Sequence, residues 1–224
     1  MDIFEFVRSF KKYSKLSDEE ILNLRELLLN NNYLTSLPES IGNLTNLQTL
    51  ILFYNRLTSL PESIGNLSNL QTLILSGNQL DSLPGSIGNL TKLQKLSLYG
   101  NKLSSLPESI GNLTNLQTLS LAYNQLSSLP ESFGNLSNLQ ILNLAYNQLS
   151  SLPESFGNLS NLQQLSLNNN ELNDQAQDVL KTLVMTNSVI IKLATDNFDF
   201  SEELQRNIRK EPAPGRITVK SVEF

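Results

Sequence analysis

The chain contains no cysteine and no histidine, and these two absences remove a large part of enzyme chemistry. There is no thiolate nucleophile, no disulfide framework, no imidazole base and no Cys/His zinc site. A chain without disulfides suits a reducing compartment, a lack that bacterial surface proteins can share. Basic residues are outnumbered as well: 16 Lys and Arg stand against 21 Asp and Glu, for a net charge of −5. Nucleic acid is therefore excluded as the main partner, because a phosphate backbone needs a basic face. No apolar run approaches the ~18 residues of a transmembrane helix, so no membrane insertion is expected. The opening MDIFEFVRSFKKYSKLSDEE lacks the form of a secretory signal, since Asp2 and Glu5 interrupt its apolar residues. A cytoplasmic location is the expectation.

What is present is a repeat. Asparagine recurs at Asn32, Asn55, Asn78, Asn101, Asn124, Asn147 and Asn170, always 23 residues apart. Each sits in the pattern LxxLxLxxNxL: Leu47, Leu50, Leu52, Asn55 and Leu57 form one copy, Leu116, Leu119, Leu121, Asn124 and Leu126 another. Spacers of the type SLPESIGNL separate the copies. Each LxLxxN segment reads as a short strand with its leucines inward, and the asparagine as a partner for backbone groups left unpaired at the turn. Pro38 and its equivalents are expected to fix φ and end the preceding turn, and Gly42 and its equivalents to permit a bend. One repeat cannot bury its leucines alone; stacking can.

This text resembles the leucine-rich repeat family. The spacer is similar to the 23-residue type of Ras-suppressor and Scribble-like proteins, which many bacterial repeat proteins share, including those of Leptospira and the effectors of Legionella. The resemblance implies an α/β solenoid, curved, with a parallel sheet on its concave side. It further implies a recognition scaffold, and in the bacterial case an effector that acts inside a host cell after translocation without a classical signal peptide.

After Asn170 the period becomes 26: Leu165 and Leu167 are followed by Ile191 and Leu193, then by Ile217 and Val219. The asparagine position turns into Asp196 and then Val222. The intervening segments read as helices, DQAQDVLKTLVMTN with Ala176, Leu180, Leu183 and Val184 on one stripe and Asp174 as cap, and SEELQRNIRK capped by Ser201. This part resembles the helical repeats of ribonuclease inhibitor. Pro212 and Pro214 would break the last connection. At the other end Ile3, Phe6, Val7 and Phe10 fall at helical spacing, and SDEE at 17–20 reads as a capping box. One domain over 1–224 is expected: a helical cap at 1–23, seven repeats at 24–172, and helical repeats with a cap at 173–224. The sheet would have about nine strands, the last over ITVKSVEF.

The columns that vary between copies lie on the outward side of the strands. They place Leu28, Ile51, Phe53, Tyr54 and Ile74 in one apolar patch near the N-terminal end. Tyr99, Tyr123 and Tyr146 fall along the same face, Tyr33 beside it, and Arg56, Lys95 and Lys102 add a basic spot. Aromatic side chains and arginine are what interface cores use. Tyrosine and isoleucine are also good strand formers, so the tyrosines of the YN pairs are equally readable as passengers of duplication.

Other features are weaker. Glu39, Glu62, Glu108, Glu131 and Glu154 form a column of solvated turn carboxylates. Sequons begin at Asn43, Asn66, Asn89, Asn112, Asn135 and Asn158, but they follow from the repeat text. No phosphate loop, metal motif or catalytic triad is present; bacterial ubiquitin ligases of the resembled family use a cysteine domain absent here. The expectation is a non-enzymatic, monomeric module without cofactor that binds a protein on its concave face, with a self-assembling repeat protein as the alternative.

Overall fold

The computed structural model describes residues 2–186 and 190–192, with side chains through 183. Eight strands form a single parallel sheet in the order of the sequence: β1 Glu26–Leu28, β2 Thr49–Ile51, β3 Thr72–Ile74, β4 Lys95–Ser97, β5 Thr118–Ser120, β6 Ile141–Asn143, β7 Gln164–Ser166 and β8 Ile190–Lys192. Each residue pairs with the one 23 positions on, as Leu50 with Leu73. The step lengthens to 26 at the end, where Leu165 pairs with Ile191. The ninth strand, the helix at Ser201 and the prolines at 212 and 214 lie outside the described residues.

Leucines at strand centres and in the spacers form one continuous buried cluster that runs from Ile3 to Leu183. Between neighbouring coils the asparagines act as expected. Asn55 Nδ2 donates to Leu29 O at 2.8 Å and Leu52 O at 2.9 Å, while its Oδ1 accepts the Leu34 N–H at 2.9 Å. Each buried amide thus ties its own turn to that of the preceding coil, and the set repeats at Asn78, Asn101, Asn124 and Asn147. Asn32 has no full coil before it, and its amide instead bonds Asn30 O.

Behind the strands each spacer is a five-residue 3₁₀ turn, for example Glu39–Asn43. The prolines open these turns rather than end the previous ones: Pro38 sits at φ −71° as the N-cap, and its carbonyl accepts the Ile41 N–H at 3.0 Å. The glycines also differ from expectation. None of the spacer glycines has positive φ; what they supply is proximity. A Cβ on Gly42 would lie 2.6 Å from the carbonyl oxygen of Ser63 in the next coil, so a missing side chain lets the turns nest. The carboxylates bridge coils too, Glu39 accepting the Ser63 N–H at 3.3 Å and Glu62 the Ser86 N–H at 3.2 Å. Gly85 breaks that column and leaves a notch lined by Leu60, Glu62, Leu83 and Pro84. A second asparagine series was not visible in the repeat text: Asn69, Asn115, Asn138 and Asn161 each donate to the carbonyl 24 residues back, at 2.7–2.9 Å.

Helices close the N-terminal end and back the last described coil. Helix α1 (Ile3–Arg8) buries Ile3, Phe6 and Val7, while Phe10 lies past its end with its ring edge-on to Phe6. Helix α2 (Asp18–Leu22) opens with the Ser17/Glu20 capping box, tied to α1 by an Arg8–Asp18 ion pair. From the segment between them the buried Tyr13 hydroxyl accepts the Leu28 N–H at 2.8 Å. That amide lies on the outer edge of β1, so Tyr13 occupies a position where another strand would pair. Between β7 and β8 helix α3 (Asp174–Thr186) buries Ala176, Leu180 and Leu183. Its cap is Asn173, whose Oδ1 accepts the Ala176 N–H at 3.1 Å, and Asp174 is the first helical residue.

Candidate functional site

Alternation along each strand decides what the concave face displays. In β2, Leu50 and Leu52 are fully buried while Thr49, Ile51 and Phe53 turn outward. Parallel register then puts Leu28, Ile51 and Ile74 side by side on neighbouring strands, all half-buried. Phe53 continues the patch, its ring edge-to-face with Tyr54 at 5.4 Å.

Tyr54 projects beyond the sheet for a backbone reason. In seven successive coils the residue before the repeated asparagine has positive φ: Asn31, Tyr54, Gly77, Gly100, Tyr123, Tyr146 and Asn169, at 53–67°. A left-handed non-glycine residue costs roughly 1–2 kcal/mol, and asparagine and glycine tolerate it best. Three tyrosines hold this position nonetheless. The Tyr54 ring lies over Gly77, where an added Cβ would meet Tyr54 Cδ1 at 2.5 Å. Tyr123 and Tyr146 stack, centroids 4.2 Å apart and planes 13° from parallel, and Tyr99 joins Tyr123 at 5.2 Å. Where these rings stack, Ala122 and Ala145 below are buried. The neighbouring Tyr146 hydroxyl, ahead of desolvation, raises the Tyr123 phenol above the ordinary tyrosine range.

The three basic residues have different surroundings. Lys95 opens β4 and is exposed, whereas Lys102 lies beyond the turn of the same coil and donates to Gln79 at 3.3 Å. Arg56 caps the ring of Tyr33 at 4.9 Å. In the first seven coils the four outward positions, Thr49, Ile51, Phe53 and Tyr54 in the second coil and their equivalents in the others, hold just two charged side chains, Glu26 and Lys95. The remainder are apolar, aromatic, hydroxyl or amide, including a Ser76–Ser97 hydroxyl pair at 2.7 Å. Among the described residues no group of carboxylates could hold a metal, and no helix is long and apolar enough to cross a membrane.

A stacked parallel sheet with buried asparagine bridges and an exposed, variable face defines a repeat solenoid. The chain belongs to the leucine-rich repeat family: a family profile described as "Leucine-rich repeat region" matches residues 8–105 and 95–210. No curated protein sequence matches it. Among solved structures it is similar to the ectodomain of the Arabidopsis thaliana membrane receptor kinase GASSHO1/SCHENGEN3, determined in complex with Casparian strip integrity factor 2. That likeness has 40% identity over 67% of this chain and 19% of that one, with a TM-score of 0.63. A Leptospira interrogans leucine-rich repeat protein is 33% identical over 80% of this chain and 59% of that one, with a TM-score of 0.43. The chain thus spans less than two thirds of either. Since 457 solved chains match, likeness of fold does not select a partner.

Proposed function

We propose that this chain is a non-enzymatic recognition module that binds an uncharged protein segment on its concave face. The anchor is the patch of Leu28, Ile51, Phe53, Tyr54 and Ile74, extended by Tyr99, Tyr123 and Tyr146. One observation carries the reading: a face of seven strands with two charges, Glu26 and Lys95, beside a contiguous apolar cluster. Such a face offers little to a charged ligand, and contiguous exposed apolar groups mark interaction sites. Leucine-rich repeat domains generally mediate protein–protein interaction, and the GASSHO1/SCHENGEN3 ectodomain was solved with a bound factor. A monomeric module is part of this reading, supported at the N-terminal end by Tyr13, which occupies the β1 edge.

The test is selection of a displayed random-peptide library on the intact chain, counter-selected on the Phe53→Ser/Tyr54→Asn double variant. The expected binders are low in charge, lost on the double variant and insensitive to salt between dilute and physiological buffer. Binders that survive the double variant, or an acidic or basic consensus with steep salt dependence, would overturn the reading.

A further inference from the structure

Tyr123 and Tyr146 are placed for chemistry on one another. Their rings stack at 4.2 Å on adjacent coils, three residues beyond the ends of β5 and β6. Both backbones are held left-handed, at φ 57° and 56°, so the two side chains leave the chain in the same direction and stay in register. Both rings are open to solvent, 46% and 36% exposed. The other tyrosines lack such a partner. Tyr13 is buried against β1, Tyr33 lies under Arg56 and Tyr54 packs on Phe53; Tyr99 meets Tyr123 at 5.2 Å with planes 60° apart. The chain also has no cysteine, tryptophan or histidine, and two methionines. Oxidising equivalents that reach this face have no thiol or indole to consume first.

We propose that Tyr123 and Tyr146 form an oxidative cross-linking site, which a peroxidase-type one-electron oxidant converts to an intramolecular dityrosine. Each phenol gives up one hydrogen atom, the two radicals join through a ring carbon ortho to each oxygen, and both rings regain aromaticity as phenols. The two hydrogen atoms reduce one hydrogen peroxide to two waters. The stacked rings must tilt edge to edge for the new carbon–carbon bond, and their exposure leaves room for it. The product ties two consecutive coils together, closing a loop across β6 and restraining the unfolded chain as a disulfide would.

The experiment uses the full chain with a haem peroxidase and limiting hydrogen peroxide. The expected product is a monomer that has lost two hydrogen atoms in intact mass and melts at a higher temperature. Cleavage after glutamate places the two residues on separate fragments, Ser109–Glu131 and Ser132–Glu154, which then emerge as one linked species. Oxygen addition at Met1 or Met185 raises the mass and is distinguished from coupling. Tyr123→Phe keeps the ring and the fold, checked by its unchanged melt before oxidation, and should abolish the link; Tyr33→Phe and Tyr54→Phe should retain it. A link that survives Tyr123→Phe, one that joins Tyr99 instead, or coupling solely between molecules would overturn the assignment. So would a monomer whose mass shows no loss of hydrogen.

Discussion

Asn101 and Leu80 belong to successive coils, and the Asn101 side-chain oxygen accepts the Leu80 N–H at 3.1 Å. The amide nitrogen of the same side chain donates to Leu75 O and Leu98 O, each at 3.0 Å. Asn101→Ala leaves one buried donor and two acceptors without this partner, and should cost about 1–3 kcal/mol. Asn101→Asp should cost at least as much, because a carboxylate oxygen then faces two carbonyls. Denaturant titration beside an exposed control, Gln125→Ala, measures both. Equal midpoints for all three variants would contradict the bridging role.

Two spacer glycines should respond in opposite directions. At Gly65 a Cβ would meet the Ser86 carbonyl at 2.5 Å, and backbone cannot move aside without separating coils. Gly65→Ala should therefore destabilise by roughly 1–3 kcal/mol. Gly85 has nothing within 4 Å of the added atom. Gly85→Glu restores the carboxylate column facing Ser109 and stiffens the unfolded chain, for an expected gain of about 0.4–1 kcal/mol. Thermal and denaturant melts of the two variants decide the signs.

Tyr13→Phe tests the N-terminal edge. The ring remains in the core, but the Leu28 N–H loses its hydroxyl partner. A loss of about 1–3 kcal/mol is expected from the unpaired amide, with faster hydrogen exchange at Leu28 while the amides of β2 and β3 stay protected. Unchanged exchange at Leu28 would show that the hydroxyl does not close the edge.

Much of the fold was legible because the period is written in the text: leucine and asparagine at 23-residue spacing dictate strand, turn and register at once. The patch residues were legible for the same reason, since alternation in a strand fixes which side chains turn outward. Three features were less so. The role of Gly42 depends on a contact with Ser63 in the following coil, which no single repeat reveals. The left-handed backbone at Tyr54, Tyr123 and Tyr146 was hidden by aromatic side chains, although Asn31, Gly77, Gly100 and Asn169 in that column carried the signal. The pairing of Arg56 with Tyr33 and of Lys102 with Gln79 joins adjacent coils, which charge alone does not reveal.

The tyrosine pair should also be visible by titration. The stacked Tyr146 and its hydroxyl hold the Tyr123 phenol above the ordinary range. A phenol raised in the folded state adds stability below its unfolded value, and that contribution is lost as pH rises through the folded value. Tyr146→Phe removes the hydroxyl and should move Tyr123 back toward the ordinary tyrosine range. Ultraviolet absorbance of tyrosinate against pH, with Tyr123→Phe as the blank, isolates this group. An unchanged Tyr123 titration in Tyr146→Phe would show that the contact does not persist in solution.

The last expectation separates binding from folding at the patch. Alanine is a poor probe at position 54, because the backbone there is left-handed and strain would be confused with lost contact. Asparagine serves this conformation in two other coils, at Asn31 and Asn169, and serine takes the position of Phe53 in the next coil, at Ser76. Tyr54→Asn and Phe53→Ser therefore remove the rings while using residues that this backbone already accommodates. Tyr54 is 63% exposed, so Tyr54→Asn should leave the melt unchanged or raise it slightly as strain is relieved. Phe53 is half-buried and its replacement should lower the melt modestly. In binding to a selected peptide each change should cost roughly 2–4 kcal/mol, as truncated aromatic hot spots do. Ser120→Ala, on the same outward face three strands away, should leave affinity nearly intact. Calorimetric titration of each variant beside its thermal melt checks the separation. An affinity loss that tracked the melt across the series would mark the rings as structural, and an affinity loss at Ser120 equal to that at Tyr54 would move the anchor toward the centre of the sheet.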